Sequence, residues 1–269
     1  MTDNAPSANA PSVPETEDLR GRVALVTGAS SGIGAAAARA LAARGAAVAV
    51  NYHRGESPAK EVVEAIETGG GRALALQADV TDRDQARDLV ERAQTELGPV
   101  DVLVTNATGL YGFEVKVAPF TSTSVEYCEW IVQRQLRAML NPVDLVLPGM
   151  IDRGHGAIVA VGAALSRTPA PGFLPLSMAK AAVESAVKVL AQEAGPYGVR
   201  VNGVGPGLIL TRVADGLPEQ ALRANAQRAA MRRNGVPQDV AEVIAFLATE
   251  PSGYLTGSYL IIDGGTALV

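Results

Sequence analysis

Val23-Ala-Leu-Val-Thr27-Gly28-Ala-Ser30-Ser31-Gly32-Ile33-Gly34 decides the fold of this chain. Its first five residues are apolar or β-branched and read as a buried strand, Val23–Thr27. Glycines follow, and from Ile33 to Arg44 the apolar spacing turns helical. A strand, a glycine turn and a helix in that order aim the N–H groups of a helix N-terminus beyond the strand, where a pyrophosphate can sit. Gly28 permits the tight turn, while Gly32 and Gly34 let backbone and helix approach the phosphates closely. A glycine triplet alone is also explained by a tight turn without ligand; strand and helix in sequence around it favour the dinucleotide.

The alternation continues outward from this turn. Further strands are predicted at Ala46–Asn51, Arg72–Gln77, Val100–Thr105, Ala157–Gly162, Arg200–Val204 and Ser258–Ile262. Helices are predicted at Lys60–Thr68, Arg83–Thr95, Ser124–Met150, Ser177–Pro196 and Asp239–Ala248. Nearly continuous apolar strands separated by helices imply a parallel sheet covered on both faces. The expected fold is α/β, a single-domain doubly wound (Rossmann) sheet of seven parallel strands. Pro142 predicts a kink in the long fourth helix. Leu208–Gly235 is too long and polar for a simple connector and is a candidate lid.

The 269 residues, 48% hydrophobic and 19% charged, supply one large core, expected over residues 20–269. Residues 1–19 mix Ala, Pro, Ser, Asn and acids without apolar periodicity and are expected to form a disordered tail. A net charge of −5 with no block of like charge argues against a nucleic-acid surface. One cysteine, Cys128, and two histidines provide neither an intrachain disulfide nor a metal ligand set. No apolar run reaches the roughly 18 residues of a membrane span, and no signal-peptide centre is visible, so the cytoplasm is expected.

The second strand ends in Val50-Asn51-Tyr52-His53-Arg54, where an NAD-selective site places a carboxylate on the ribose hydroxyls. No acid stands there. Arg54, with His53, suits a 2′-phosphate through charge-assisted hydrogen bonds, which favours NADP(H) over NAD(H); an exposed basic loop is the alternative.

Beyond the glycine turn come Asp79-Val80, Asp101-Val-Leu-Val-Thr-Asn106-Ala and Arg200-Val-Asn-Gly-Val-Gly-Pro206-Gly207-Leu-Ile209-Leu-Thr211. Tyr254-Leu-Thr-Gly257 and Asp263-Gly-Gly close the series. Together these motifs resemble the short-chain dehydrogenase/reductase family, and in particular are similar to its 3-oxoacyl-carrier-protein reductases, from about Leu19 to Gly265. The resemblance implies a nicotinamide cofactor held by Gly28, Ser30, Ser31, Gly32, Ile33 and Gly34 at the turn, and by Asn51 and Arg54 after the second strand. It places Asp79, Val80 and Asn106 toward the adenine end, and Pro206, Gly207, Ile209 and Thr211 after the sixth strand, with Thr211 on the nicotinamide carboxamide.

The resemblance fails where the chemistry lies. In the family a tyrosine exchanges a proton with the substrate oxygen, a lysine four residues later lowers its pKa and holds the ribose, and a serine steadies the oxygen. Lys180 matches the lysine and keeps the ribose role, with action as an acid when desolvated as the alternative, but Leu176 stands at the tyrosine and Ala163 at the serine. Gln135 stands at the asparagine of the proton relay, and the enoyl-reductase position seven before Lys180 is Phe173. Tyr111, Glu114, Ser166 and Ser177 follow strands or precede Lys180 and are candidate replacements, although loop packing or solvent exposure explains each as well.

His155 precedes the fifth strand, at the end opposite the expected pocket, and reads as a surface turn. Cys128 and Trp130 read as packing residues of the long helix; Arg212, Arg223, Arg228, Arg232 and Arg233 read as a solvated face. Three functions remain open. They are an NADP(H)-dependent oxidoreductase acting on a small-molecule or carrier-bound carbonyl, enoyl or imine substrate; a non-redox cyclase or isomerase; and a catalytically silent cofactor-binding subunit. A homo-oligomer, or pairing with an active relative, is expected from the resemblance.

Overall fold

A computed structural model describes residues 18–110, 115–212 and 214–267. The candidate acids Tyr111 and Glu114 therefore lie outside the described residues. The chain runs β1 (Val23–Val26), α1 (Gly32–Ala42), β2 (Ala47–Tyr52), α2 (Glu56–Thr68), β3 (Arg72–Gln77), α3 (Arg83–Leu97) and β4 (Val100–Thr105). It continues with α4 (Val125–Arg153), β5 (Gly156–Val161), α5 (Leu174–Ala194), β6 (Val199–Pro206), α6 (Glu219–Arg228), α7 (Pro237–Ala248) and β7 (Tyr259–Ile262). The strands form one parallel sheet of order β3-β2-β1-β4-β5-β6-β7. The order reverses between β1 and β4, and the crevice outside the carboxyl ends at such a reversal is where ligands of these sheets bind.

The apolar runs explain the layering. Every residue of β1 and β4 is buried, because helices cover both faces of the sheet. Alanines of α1 pack with α2 and α7 against one face; α3, α4 and α5 pack against the other. Helix starts are set by local chemistry. Asp82 accepts from Asp84 N and Gln85 N ahead of α3, and Ser124 accepts from Tyr127 N ahead of α4.

Several predicted boundaries shift for identifiable reasons. Leu19, assigned to the tail by sequence, is buried in the core and donates its N–H to Arg44 O at 2.9 Å. Helix α2 begins at Glu56 rather than Lys60, entered through left-handed Gly55 (φ 89°). Helix α5 begins at Leu174 rather than Ser177, with Pro175 in its first turn, where a missing N–H costs nothing. Leu176 therefore sits inside the helix that carries Lys180. Helix α4 runs unbroken through Pro142 and Pro148 and ends at left-handed Gly154. The candidate lid contains α6, which buries no side chain, and its ends are tied by Leu210 N to Gly235 O and Gly235 N to Leu208 O.

Candidate active site

The turn between β1 and α1 is built from backbone conformations that only glycine adopts without strain. Gly28 has φ 62° and Gly32 φ 56°. A Cβ at Gly34 would lie 2.5 Å from both Asn106 Nδ2 and Gly28 O, so the helix can enter this closely only without a side chain. Two asparagines brace the turn. Asn51 Oδ1 accepts from Gly28 N at 3.1 Å while its amide donates to Leu76 O and Ala78 O. Asn106 Nδ2 donates to Thr27 O and Gly28 O, and Thr27 Oγ1 accepts from the N–H groups of Asn106 and Ala107. At 1% exposure the Asn51 side chain is spent on bracing the turn, so any contact it makes with a cofactor is through its backbone. Ser31 precedes α1 without capping it, leaving the first-turn N–H groups of Gly32, Ile33 and Gly34 without a side-chain acceptor there. Those donors and the positive helix end suit a pyrophosphate.

The flanks of the turn are equally specific. Arg54 is exposed at the end of β2, and a Cβ on the next residue, Gly55, would lie 3.9 Å from Ser30 Oγ, so this tip stands beside the turn. Partial burial raises the Asp79 carboxyl, but hydrogen bonds from Thr81 and the charges of His53 and Arg134 hold it below the usual range. Val80 is buried in the core, and any contact it makes with a ligand is through its backbone. After Pro206, Gly207 packs so tightly on Asp263 that its Cβ would lie 2.6 Å from the Asp263 Cβ. Ile209 is buried, whereas Thr211 stands over Gly32, 3.2 Å from the position a Cβ would take there. The segment after β6 and the glycine turn thus converge on one crevice.

The early turns of α5 form the next wall, against the short 3-10 turn Ala164–Ser166 that follows β5. Leu176 packs on an apolar cluster of Leu110, Ile131 and Ala179, joined by Trp130 and Val132. No proton donor stands at that position. Lys180 is 7% exposed, no hydrogen bond or ion pair to it is found among the described residues, and burial pushes its ammonium down to about 8. One turn earlier, Ser177 Oγ is buried with no partner, as is Thr105 Oγ1 at the end of β4. Gln135 is buried and donates to Thr108 O at 2.6 Å, so its amide holds the loop after β4. Phe173 immediately precedes α5.

Ser166 has its proton committed elsewhere. Its hydroxyl donates to Glu184 Oε2 at 2.7 Å, and Arg167 and Lys188 bind the other carboxylate oxygen. Burial raises the Glu184 carboxyl, but these three donors outweigh it and keep it ionised below the usual range. Nearby, Tyr259 on β7 reaches beneath β6 to the site. Its hydroxyl accepts from Ala163 N at 2.9 Å and donates to Ala163 O at 3.2 Å. Burial pushes that phenol above its usual range.

The ring fits because Gly162, Gly203 and Gly205 lack Cβ atoms; Cβ atoms at the latter two would lie 2.5 and 2.7 Å from it. Sequence reading missed Tyr259, although three glycines on neighbouring strands beside one aromatic were its visible signal. Gly162→Ala is expected to cost about 1–3 kcal/mol by overpacking. Tyr259→Phe, which removes the atom nearest the new Cβ, should recover part of that loss in a urea-unfolding double-mutant cycle. Strict additivity of the two variants would refute this packing account.

The remaining candidates lie elsewhere. His155 sits with Arg22 and Asp101 before β5, at the amino edge of the sheet. Cys128 is buried, and Trp130 stacks on Tyr127 with the Arg134 guanidinium 5.7 Å from its ring. Arg223 and Arg233 pair with Glu219 and Asp239, and Arg212, Arg228 and Arg232 are exposed.

Known proteins share this fold. Residues 28–267 match the family described as enoyl-(acyl carrier protein) reductase. The chain is 38% identical over 250 residues to an L-rhamnose 1-dehydrogenase (NAD(P)(+)) of Sphingomonas sp., covering 92% of this chain and 96% of that one. It is 36% identical over 250 residues to the 3-oxoacyl-[acyl-carrier-protein] reductase of Thermotoga maritima, covering 93% and 99%. A solved 7α-hydroxysteroid dehydrogenase complexed with NADH and 7-oxo glycochenodeoxycholic acid superposes with a TM-score of 0.87 at 29% identity, over 93% of this chain and 96% of that one. Fold, glycine turn and relatives over nearly the whole length agree: the chain belongs to the short-chain dehydrogenase/reductase family of oxidoreductases.

Proposed function

We propose that this protein is an NADP(H)-dependent oxidoreductase with an atypical active site, acting on a small-molecule or carrier-bound carbonyl, enoyl or imine compound. The observation that carries the reading is the glycine turn at the β1–β4 reversal, whose helix N-terminus is left open by Ser31 and whose Gly34 has no room for a side chain. Bound there, the nicotinamide supplies hydride chemistry, while the chain holds and orients it. Gly28, Ser30, Ser31, Gly32, Ile33 and Gly34 would hold the pyrophosphate, with Asp79, Val80 and Asn106 toward the adenine. Lys180, Pro206, Gly207, Ile209 and Thr211 would flank the nicotinamide half.

Arg54, exposed and next to the Gly55 that faces Ser30, with no carboxylate at the end of β2, favours a 2′-phosphate. Arg54→Ala is expected to weaken NADPH by about 10- to 100-fold, the worth of a charged hydrogen bond, and NADH by less than about threefold. Fluorescence titration measures both, and equal losses would remove Arg54 from phosphate recognition. The relatives' names differ in substrate, among them a sugar, a steroid and an acyl-carrier thioester, so the acceptor is sought directly.

The deciding assay follows NADPH absorbance with a cyclic ketone, a 3-oxoacyl thioester, an enoyl thioester and a cyclic imine. Acceptor-dependent oxidation is expected. Leu176 on its apolar cluster favours a second reading, a silent cofactor-binding subunit. That reading predicts a thermal shift with NADPH and no oxidation with any acceptor.

A further inference from the structure

We propose that Lys180 is the proton-transfer group of this site, its ammonium delivering to a carbonyl oxygen the proton that a tyrosine delivers elsewhere in the family. The proposal rests on the oxidoreductase reading above. A bound reduced nicotinamide would supply hydride to the carbonyl carbon, so that a C–H bond forms as the C=O π bond opens toward oxygen and the cofactor is left oxidised. That oxygen takes a proton from Lys180 Nζ, leaving an alcohol, an oxidised cofactor and a neutral amine that water reprotonates.

Three placements support it. Lys180 lies on α5 one turn before Glu184, whose carboxylate receives the Ser166 hydroxyl from the 3-10 turn that follows β5. Its Nζ has no hydrogen-bond or ion-pair partner among the described residues, so its protons are unspent. The alternatives around it are occupied or absent: Leu176 and Ala163 are hydrocarbon, Ser166 donates to Glu184, Gln135 donates to Thr108 O, and the Tyr259 hydroxyl is closed on Ala163.

Charged groups on the packed elements do not compensate it. Glu184, one turn further along α5, holds Ser166, Arg167 and Lys188; on α4, Arg134 lies 3.5 Å from Asp79; Tyr259 on β7 binds Ala163. Burial alone thus brings this amine to about 8, into the range where an acid both holds and releases a proton near neutrality. Half-buried Leu176, four residues before Lys180, suits an uncharged carbonyl compound with hydrocarbon on one side.

Lys180→Arg separates this role from ribose binding, because the guanidinium keeps the charge but does not release a proton. The expected result is an NADPH dissociation constant within about threefold of wild type and a kcat for ketone reduction lowered by about 10²–10⁴-fold. Wild-type kcat should fall as pH rises through about 8, and this limb should vanish in the variant. Should the variant not fold, the wild-type 13Cε resonance of Lys180 is followed against pH, with a midpoint near 8 expected. An ordinary lysine midpoint, or an arginine variant with unchanged kcat, overturns the assignment while leaving the oxidoreductase reading intact. NADPH binding without oxidation by any acceptor overturns both.

Discussion

Lys180→Met is expected to make the folded chain more stable at neutral pH. The lysine is 7% exposed and without a partner among the described residues, so folding strips most of the water from its ammonium without supplying a hydrogen-bond partner. Its pKa is depressed from 10.5 to about 8. The sign follows from proton binding: between these two values the unfolded chain holds the proton and the folded chain releases it, so stability rises with pH. Below about pH 8 the full penalty applies, and at about 1.4 kcal/mol per unit it amounts to about 3 kcal/mol. Above about 10.5 both states are neutral and the penalty is gone.

Methionine fills a similar volume without charge, so urea unfolding at pH 7 should show a gain approaching that figure, shrinking as pH is raised toward 10. A stability difference independent of pH would show that the ammonium is not desolvated. A residue that costs stability in the fold and sits at the reaction crevice is the pattern expected of a functional group, since activity and stability trade against one another at such positions.

Leu176→Tyr combined with Ala163→Ser is expected to raise ketone reduction by less than the ~10²–10⁴-fold worth of a positioned acid, because Lys180 already supplies the proton. Tyrosine at 176 would stand on the same helix face as Lys180, four residues on, where a neighbouring ammonium favours the phenolate and sharpens proton transfer. The serine would restore a donor to the substrate oxygen at the residue whose backbone Tyr259 already fixes through two hydrogen bonds. Overpacking of the cluster around Leu110 and Ile131 should cost about 1–3 kcal/mol, visible as a lower midpoint in urea. Steady-state kcat with a cyclic ketone measures the gain. No gain in a folded double variant would mean that the reacting oxygen is held away from the position these two residues serve.

Comparison of these residues shows which features were legible from sequence. The strands, their parallel pairing and the glycine turn could be read directly, because a doubly buried strand must be continuously apolar and a left-handed turn residue must be glycine. The absence of a hydroxyl at 176 is legible by counting back four from Lys180, and at 163 from the fifth-strand motif Ile158-Val-Ala-Val-Gly-Ala163. The bounds of α2 and α5 were missed by three or four residues, since their first turns contain Ser, Pro and Leu whose helical state depends on capping and packing rather than on periodicity. Only the folded chain shows the Asn51 side chain consumed by Gly28, Leu76 and Ala78, because these partners lie 23 to 27 residues away in sequence.

By itself, then, the order of residues determined a parallel α/β sheet with a glycine turn after its first strand, and hydrocarbon side chains at 176 and 163, since local patterns of period and residue type encode both. Tertiary structure decided which polar groups remain free to act. Ser166, Gln135 and Tyr259 are committed to partners distant in sequence, whereas Lys180 and Ser177 are buried with none among the described residues. Whether a proton can be given or taken depends on such hydrogen bonds and on loss of hydration, which are set by elements that meet only when the sheet is assembled.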